Sequence, residues 1–338
     1  MAQVHVIDTT LRDGSHAVSH SYSPDQVREI ASRLDQSGVF MIEVSHGDGI
    51  SGSSYNYGFS KYKEMDLIAA AADVVKNAKL DVLLLPGIGT VADLKQAQSL
   101  GVSAVRVATH VTEADISAQH IRAAKEMGMF AVGFLMMAHM ASPEKIAEQA
   151  KLMESYGADY INIADSAGYL LPEDVAARVK AVREAVSIPV GFHAHNNLGL
   201  AIANSLSAID AGAQYVDATL RGLGAGAGNA QLEVLAGVLP RKGVDTGLDF
   251  YKLMDIAEDV VEPLMQRPQV IRNAPLMLGY AGVYSSFLLH VYRAADRFQL
   301  DPRDILVEIG KRGMVGGQED KIVEIAYLLA QEKAQKKG

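Results

Sequence analysis

The sequence predicts an α/β fold, a (β/α)8 TIM barrel, followed by a small helical C-terminal domain. Two observations carry that expectation. Short apolar runs of strand character recur at 4–8, 39–45, 80–85, 104–109, 130–136, 159–164, 189–194 and 214–219, and each is followed by a stretch with helical periodicity. Eight such units in about 240 residues match the size of a closed barrel, whose parallel strands are apolar on both faces and whose connections are short. A doubly wound open sheet is the alternative.

Taken in order, the elements carry their own start and stop signals. The first run, Val4-His-Val-Ile-Asp8, leads into Thr9-Thr10-Leu11-Arg12-Asp13-Gly14-Ser15-His16. Ser23-Pro24 opens the first helix and Gly38 closes it, in keeping with capping by serine, proline at the first helical position and glycine past the end. After the second run comes a long, glycine-rich and aromatic connection from His46 to Ser60, the kind of loop that covers or lines a binding site. Gly101 and Gly128 end the helices that follow the third and fourth runs, and Ser142-Pro143 opens one closed by Gly157. The sixth run ends in Asp165-Ser166-Ala167-Gly168, the seventh in His193-Ala194-His195 after Ile188-Pro-Val-Gly-Phe192, and Gly212 closes the next helix. Beyond about residue 258 the alternation stops, and helical stretches run from Ser286 to Phe298 and from Pro302 to Gly310. The expected division is 1–258 for the catalytic barrel and 259–338 for the helical domain, with a loose tail from Lys333 to Gly338.

Composition narrows the function. The chain has 338 residues, is 49% hydrophobic and contains no cysteine, which removes disulfides, thiolate ligands and thiol nucleophiles and fits a reducing compartment. No run approaches the roughly 18 apolar residues of a membrane span, and the N-terminus enters a strand without a basic and then apolar leader. A soluble, cytoplasmic protein is expected. The net charge of −9 argues against a nucleic-acid partner, since such proteins carry a basic stripe. An anionic substrate must then be met by locally placed cations.

Chemistry concentrates at the strand ends, where barrel enzymes work. His193 and His195 are two residues apart in an extended run, so both imidazoles point to one face. With Asp13 they make a carboxylate and two imidazoles, a facial set that leaves positions open on a divalent ion. Arg12 presents a fork of donors suited to a carboxylate or an enolate oxygen. His16 titrates near neutrality and is a candidate general base or acid, whereas its neighbour His20 reads as packing or solvent. Ser166 offers a hydroxyl at the sixth strand end. Glu43, a charge inside an apolar run, is either paired in the interior or part of the site, with Arg106 as a candidate partner. The run Arg221-Gly-Leu-Gly-Ala-Gly-Ala-Gly-Asn229 fits a dinucleotide pattern poorly, because no further βαβ unit follows. Close backbone approach at the barrel mouth explains it better. No strand core contains a lysine, so Schiff-base chemistry is excluded and carbonyl chemistry would use the metal.

With Asp8-Thr-Thr-Leu-Arg-Asp-Gly14, His193-Ala-His195 and Gly224-Ala-Gly-Ala-Gly-Asn229 in view, the chain resembles the metal-dependent barrel superfamily of isopropylmalate synthase and hydroxymethylglutaryl-CoA lyase. Within it, the chain is most similar to the 4-hydroxy-2-oxovalerate aldolases. The likeness spans nearly the whole length, including Glu43-Val-Ser-His-Gly-Asp48, Leu85-Pro-Gly-Ile-Gly89, Asp165-Ser-Ala-Gly168 and Gly279-Tyr-Ala-Gly-Val-Tyr284. The resemblance implies a class II aldolase that cleaves 4-hydroxy-2-oxopentanoate to pyruvate and acetaldehyde in meta-cleavage degradation of aromatic compounds. It implies Mn²⁺ on Asp13, His193 and His195, with pyruvate bound at the ion. It further implies Arg12 stabilising the enolate, His16 taking the 4-hydroxyl proton, and Ser166 and Tyr284 positioning the substrate alongside Arg12, Asp13 and His193. It implies, lastly, an acylating acetaldehyde dehydrogenase as partner, contacted by the helical C-terminal domain and receiving the aldehyde.

Three other readings compete. An acetyl-CoA-dependent 2-oxo acid synthase of the same superfamily usually carries Glu-Gln where this chain has Ser15-His16, and has a regulatory domain. A CoA-ester lyase normally carries a catalytic cysteine. A regulatory or scaffolding protein with a degenerate site would not need the intact ligand set, base and arginine.

Overall fold

The computed structural model describes residues 3–335. Eight parallel strands close into a barrel in sequential order: β1 His5–Asp8, β2 Met41–Glu43, β3 Lys79–Leu84, β4 Ala104–His110, β5 Phe130–Met136, β6 Tyr160–Asp165, β7 Val190–Ala194 and β8 Tyr215–Ala218. Each lies within two residues of a sequence-predicted run at its start. The helices that alternate with them are α1 Pro24–Asp35, α2 Glu64–Ala72, α3 Val91–Ser99, α4 Ala118–Glu126, α5 Pro143–Ser155, α6 Pro172–Ala185, α7 Ala201–Asp210 and α8 Leu232–Val238.

The expected helix signals work as capping devices. Ser23 accepts the Gln26 N–H while the Gln26 side chain accepts the Ser23 N–H, a reciprocal box that satisfies two otherwise free donors. Ser142 caps α5 through the Lys145 N–H. The helices before Gly38, Gly101, Gly128, Gly157 and Gly212 all run out into a left-handed glycine, the conformation that only glycine adopts without strain.

Strand alternation divides the core in two. Outward residues such as Val6, Ile42, Val82, Val107, Ile161, Phe192 and Val216 pack beneath the helices in one large cluster. Inward residues form layers, as is usual for such barrels. At the N-terminal end Ile7, Met41, Ala104, Val132, Tyr160 and Tyr215 make an apolar plug, with the Tyr160 and Tyr215 rings stacked at 4.1 Å. One step along each strand pair lie Glu43, Asp81, Arg106, Asn162 and Asp217, all buried. Above that polar layer Leu83, Ala108, Phe134 and Ala164 cluster toward the C-terminal mouth. Strand β3 begins one residue before the predicted run, so a strand does contain a lysine. Lys79 sits at the N-terminal end, with its ammonium over the rings of Phe40 and Phe130, at the opposite end of the strand from the mouth.

After α8 the chain forms α9 Phe250–Asp255, a π-helical turn over Ile256–Val261, and then α10 Asn273–Ala281, α11 Leu288–Phe298, α12 Pro302–Lys311 and α13 Asp320–Gln335. The residues through Val261 pack with the barrel, whereas Leu278, Phe287, Val291, Ile305, Ile309 and Ile322 form a cluster of their own. Sequence reading found the cores of α11 and α12 but not α10 or α13. Of the tail expected to be loose, Lys333–Gln335 continue α13, and 336–338 lie outside the described residues. Among the described residues no helix is long and apolar enough to cross a membrane.

The Ser23 box generates one stability prediction. Ser23→Ala should lower the unfolding free energy by about 1 kcal/mol, the usual scale for a lost N-cap, read as a shift in the urea midpoint.

Candidate active site

Arg12, Asp13, His16, Ser166, His193, His195 and Tyr284 line one narrow cleft at the barrel mouth, together with Gly47, Leu83, Phe134, Met136, Ala225 and Ser286. All seven sequence-predicted site residues are therefore brought together, from three strand ends and the C-terminal segment.

The loop after β1 is held by its own side chains. Asp8 accepts the Thr10 N–H at 3.0 Å and the Thr10 hydroxyl at 2.7 Å, and Thr10 Oγ1 accepts the Leu220 N–H at 2.8 Å. Burial pushes the Asp8 carboxyl up to about 7. The chain then turns through a 3-10 segment, Asp13–His16, which presents Arg12, Asp13 and His16 to the same cleft.

Asp13 is the centre of the cluster. Its Oδ2 lies 3.3 Å from His193 Nε2 and 3.5 Å from His195 Nε2, and one ligand atom from each of the three residues lies within 4.8 Å of the others. Burial raises the Asp13 carboxyl, but the Arg12 guanidinium, the charge of His195 and hydrogen bonds from both histidines outweigh it and hold the group well below the usual carboxylate range. Its other oxygen accepts the Ala225 N–H at 3.1 Å. This is the work of the glycine run: Gly226 and Gly228 are left-handed, and a Cβ on Gly224 would meet Asp13 Oδ1 at 3.2 Å. The loop folds its backbone onto the site, as close approach demands.

The two histidines differ. Burial lowers His195. Burial also acts on His193, but hydrogen bonds to Asp13 and Asp217 overcome it and raise that group. Asp217, which sequence reading did not single out, accepts from His193 Nδ1 at 2.8 Å and pairs with Arg106.

Arg12 is buried, not a surface residue. Its Nε reaches Glu43 Oε2 at 2.6 Å and its Nη1 reaches Asp13 Oδ2 at 3.0 Å, while its Nη2 is buried without a partner among the described residues. Glu43 also faces the expected Arg106, Nε to Oε1 at 3.5 Å. Asp81 completes this layer, and burial beside Glu43 pushes its carboxyl well up.

His16 is 16% exposed and lies 3.8 Å, Nε2 to Oδ2, from Asp48. Burial lowers its proton affinity, and burial pushes Asp48 up to about 6. A Cβ on Gly47 would overlap the His16 ring, so the second βα loop packs its backbone directly on the imidazole. His20 stacks on His46 at 3.9 Å and bonds Ser15 Oγ through Nδ1 at 2.9 Å. It is a packing residue, although His16, His20 and Asp48 also approach within ligand distance of one another. The loop from His46 is pinned by Glu64, which accepts the His46 and Ser51 N–H groups at 2.7 Å each. It reaches the C-terminal helices through His290, bonded to the Asn56 carbonyl at 2.9 Å.

Ser166 accepts the N–H of Met137 at 3.1 Å, and Met137 is left-handed. Tyr284 enters from the turn between α10 and α11. Burial raises its phenol, so it stays protonated. Tyr284 and Met136 also line an adjoining cavity of about 280 Å³, walled by Leu85, Ile88, Ala108 and Ile116 among others.

Comparison with known proteins agrees with this geometry. Residues 3–260 match the HMGL-like family and residues 269–331 the DmpG-like communication domain. A 4-hydroxy-2-oxovalerate aldolase of Moorella thermoacetica is 68% identical over 98% of each chain, and one of Carboxydothermus hydrogenoformans is 61% identical over 98% of this chain and 99% of that one. Among solved structures, the carboxyl transferase domain of Rhizobium etli pyruvate carboxylase has a TM-score of 0.83 at 19% identity, covering 98% of this chain and 61% of that one. The HMG-CoA lyase from Brucella melitensis has a TM-score of 0.69 at 20% identity, covering 79% of this chain and all of that one. These two share the fold. The relatives do not favour the acetyl-CoA-dependent synthase, and a class II aldolase of this family implies a divalent metal. A closed barrel with an Asp/His cluster at its mouth, a communication domain behind it and aldolase relatives along its full length thus place this chain in the HMGL-like family, among the 4-hydroxy-2-oxovalerate aldolases, which are lyases.

Proposed function

We propose that the chain cleaves 4-hydroxy-2-oxopentanoate to pyruvate and acetaldehyde in this cleft, with Asp13, His193 and His195 holding a divalent ion, Mn²⁺ by preference. The observation that carries the reading is the convergence of one carboxylate, two imidazoles, an arginine with a free donor and a further histidine on a single cleft. The donors fit such an ion: an ionised carboxylate and two imidazoles, all buried, leave one side for substrate. When bound, the ion supplies Lewis-acid stabilisation of the negative charge that the breaking bond delivers to the pyruvate half.

The residues of the chain do the rest. The unpartnered Arg12 Nη2 donates to an oxygen of the pyruvate half, where charge develops. His16 is kept neutral by burial, so it accepts the proton of the 4-hydroxyl as the C3–C4 bond breaks. The O–H electrons become the second bond of the aldehyde carbonyl, and the C3–C4 electrons pass to the pyruvate half. Asp48, 3.8 Å from His16 Nε2, stabilises the imidazolium that results. Ser166 and the protonated Tyr284 offer hydroxyls that orient the substrate, whose aldehyde half then faces the larger apolar cavity.

We further propose that residues 259–338 form a partner-binding domain for an acylating acetaldehyde dehydrogenase in a hetero-oligomer, with the barrel ending near 258. Exposed Tyr280, Tyr292 and Tyr327 suit an interface, where aromatic residues are enriched. A cytoplasmic location fits the cysteine-free sequence.

The decisive experiment strips the metal with chelator and measures pyruvate release from 4-hydroxy-2-oxopentanoate with Mn²⁺ restored. Absence of release would overturn the reading. His16→Ala should reduce turnover by about 10² or more with bound Mn²⁺ retained, the usual scale for a lost general base. His195→Ala should lose metal and activity together, as measured by elemental analysis and the same assay. The pH profile has a defined sign as well. His16 must be neutral to act, and burial lowers its proton affinity. The acid limb of log kcat/KM should therefore lie below the ordinary imidazole value of 6.5. A limb centred above it would assign the base elsewhere.

A further inference from the structure

We propose that Asp217 is a positioning residue that fixes the tautomer and ring orientation of His193, so that the Nε2 lone pair faces Asp13 and the ion. The inference rests on the ligand set proposed above and goes beyond it.

An imidazole can ligate through one nitrogen only if the proton sits on the other, and the hydrogen bond made by that second nitrogen decides which one carries it. His193 Nδ1 lies 2.8 Å from Asp217 Oδ2, while Nε2 lies 3.3 Å from Asp13 Oδ2. Asp217 accepts and cannot donate while ionised, so it holds the proton on Nδ1. The same Oδ2 accepts from Asn162 Nδ2 at 3.2 Å and from the Arg106 guanidinium, and the carboxylate is 1% exposed. It is therefore fixed from three sides. His195 supplies an internal contrast, because its Nδ1 is buried with no partner among the described residues. Only one of the two imidazoles has a carboxylate behind it.

The support is itself closed on the site. From Asp217 the contacts run through Arg106 to Glu43, from Glu43 to Arg12 at 2.6 Å, and from Arg12 to Asp13 at 3.0 Å. His193 and Asp13 are thus opposite ends of one buried chain that returns on itself. An Asp217 that served only as counterion to Arg106 would not need the His193 contact, and its loss would leave metal affinity untouched.

The test uses full-length, chelator-stripped protein and Mn²⁺ alone, with free Mn²⁺ followed by electron paramagnetic resonance in the absence of substrate. Wild type should bind one Mn²⁺, and His193→Ala should lose it. Failure of either result overturns the ligand set, and the present inference with it. Given both, Asp217→Asn should weaken Mn²⁺ binding by roughly 10- to 100-fold, the scale for lost outer-shell partners. Because Asp217→Asn removes the nearer of the two buried carboxylates that Arg106 faces and risks misfolding, the double variant Asp217→Asn/Arg106→Gln removes both charges of that pair together. It should keep the wild-type near-ultraviolet circular dichroism and show the same weakening. Mn²⁺ affinity within about threefold of wild type in either folded variant would overturn the assignment and leave Asp217 a counterion only.

Discussion

Everything at the mouth of this barrel depends on keeping five formal charges out of water. Asp13, Glu43 and Asp217 are each at most 2% exposed, Arg106 is fully buried, and Arg12 is 5% exposed. In such surroundings a lone charge is strongly disfavoured, and removing one member of a buried pair typically costs about 3–5 kcal/mol. The arrangement tolerates this because each charge touches one of opposite sign: Arg12 lies between Asp13 and Glu43, and Arg106 between Glu43 and Asp217. Asp81, pushed well up by burial, lies in the same layer.

The fold makes this row possible through the period of the strand. Alternate residues face inward, so one apolar plug, one polar layer and one mouth layer arise from successive inward positions on the same strands. The plug of Tyr160, Tyr215 and their neighbours closes the interior beneath the charges and excludes water from that side. Above, the site is finished by segments that are not strands. The glycine run sets the Ala225 N–H on Asp13, the second βα loop packs Gly47 on His16, and the turn after α10 brings in Tyr284. The turn between the C-terminal helices α10 and α11 is therefore part of the cleft's wall. Asn197 joins them to the barrel directly, bonding both the Ala167 carbonyl and Ser285 Oγ at 2.9 Å.

Most of this was legible in the sequence where local rules decide the outcome. All eight strands, the caps at Ser23 and Ser142 and the convergence of Arg12, Asp13, His16, Ser166, His193 and His195 follow from periodicity, turn chemistry and the rule that barrel strands end at the site. Asp217, Asp81 and Asn162 were missed although they obey the logic applied to Glu43 and Arg106, namely one polar residue at an inward position of an apolar strand. The runs Tyr160-Ile-Asn162-Ile and Tyr215-Val-Asp217 carry that signal plainly. What no local pattern contains is the partner: the contact of Asp217 with His193 spans two strands, and that of Arg106 with Asp217 crosses the barrel. The contacts of Gly47 and Asp48 with His16 are equally tertiary facts. Helix α10 does end on a left-handed glycine, Gly282, but among the described residues neither it nor α13 has a side-chain N-cap bond to mark its start, and both pack in their own cluster.

The substrate placement proposed above sets one half of the molecule in a narrow polar cleft and the other against a wider, more apolar space. The cleft beside Asp13 is narrow and lined by charged and hydroxyl groups whose pairing is nearly complete, so a ligand lacking a matching oxygen would leave buried donors such as Arg12 Nη2 unmet, at a cost of about 1–3 kcal/mol or more. The adjoining space of about 280 Å³ is lined by Leu85, Ile88, Ala108, Met136 and Ile116, with Asp48, His110, Glu113 and Glu319 also on its wall, and apolar contacts separate substrates differing by one methylene by only about 1–3 kcal/mol. With the substrate placed as proposed, discrimination is expected to be stronger at the 2-oxo acid end than at the aldehyde end. Tyr284 and Met136, which line both parts, stand at the boundary where that difference is set.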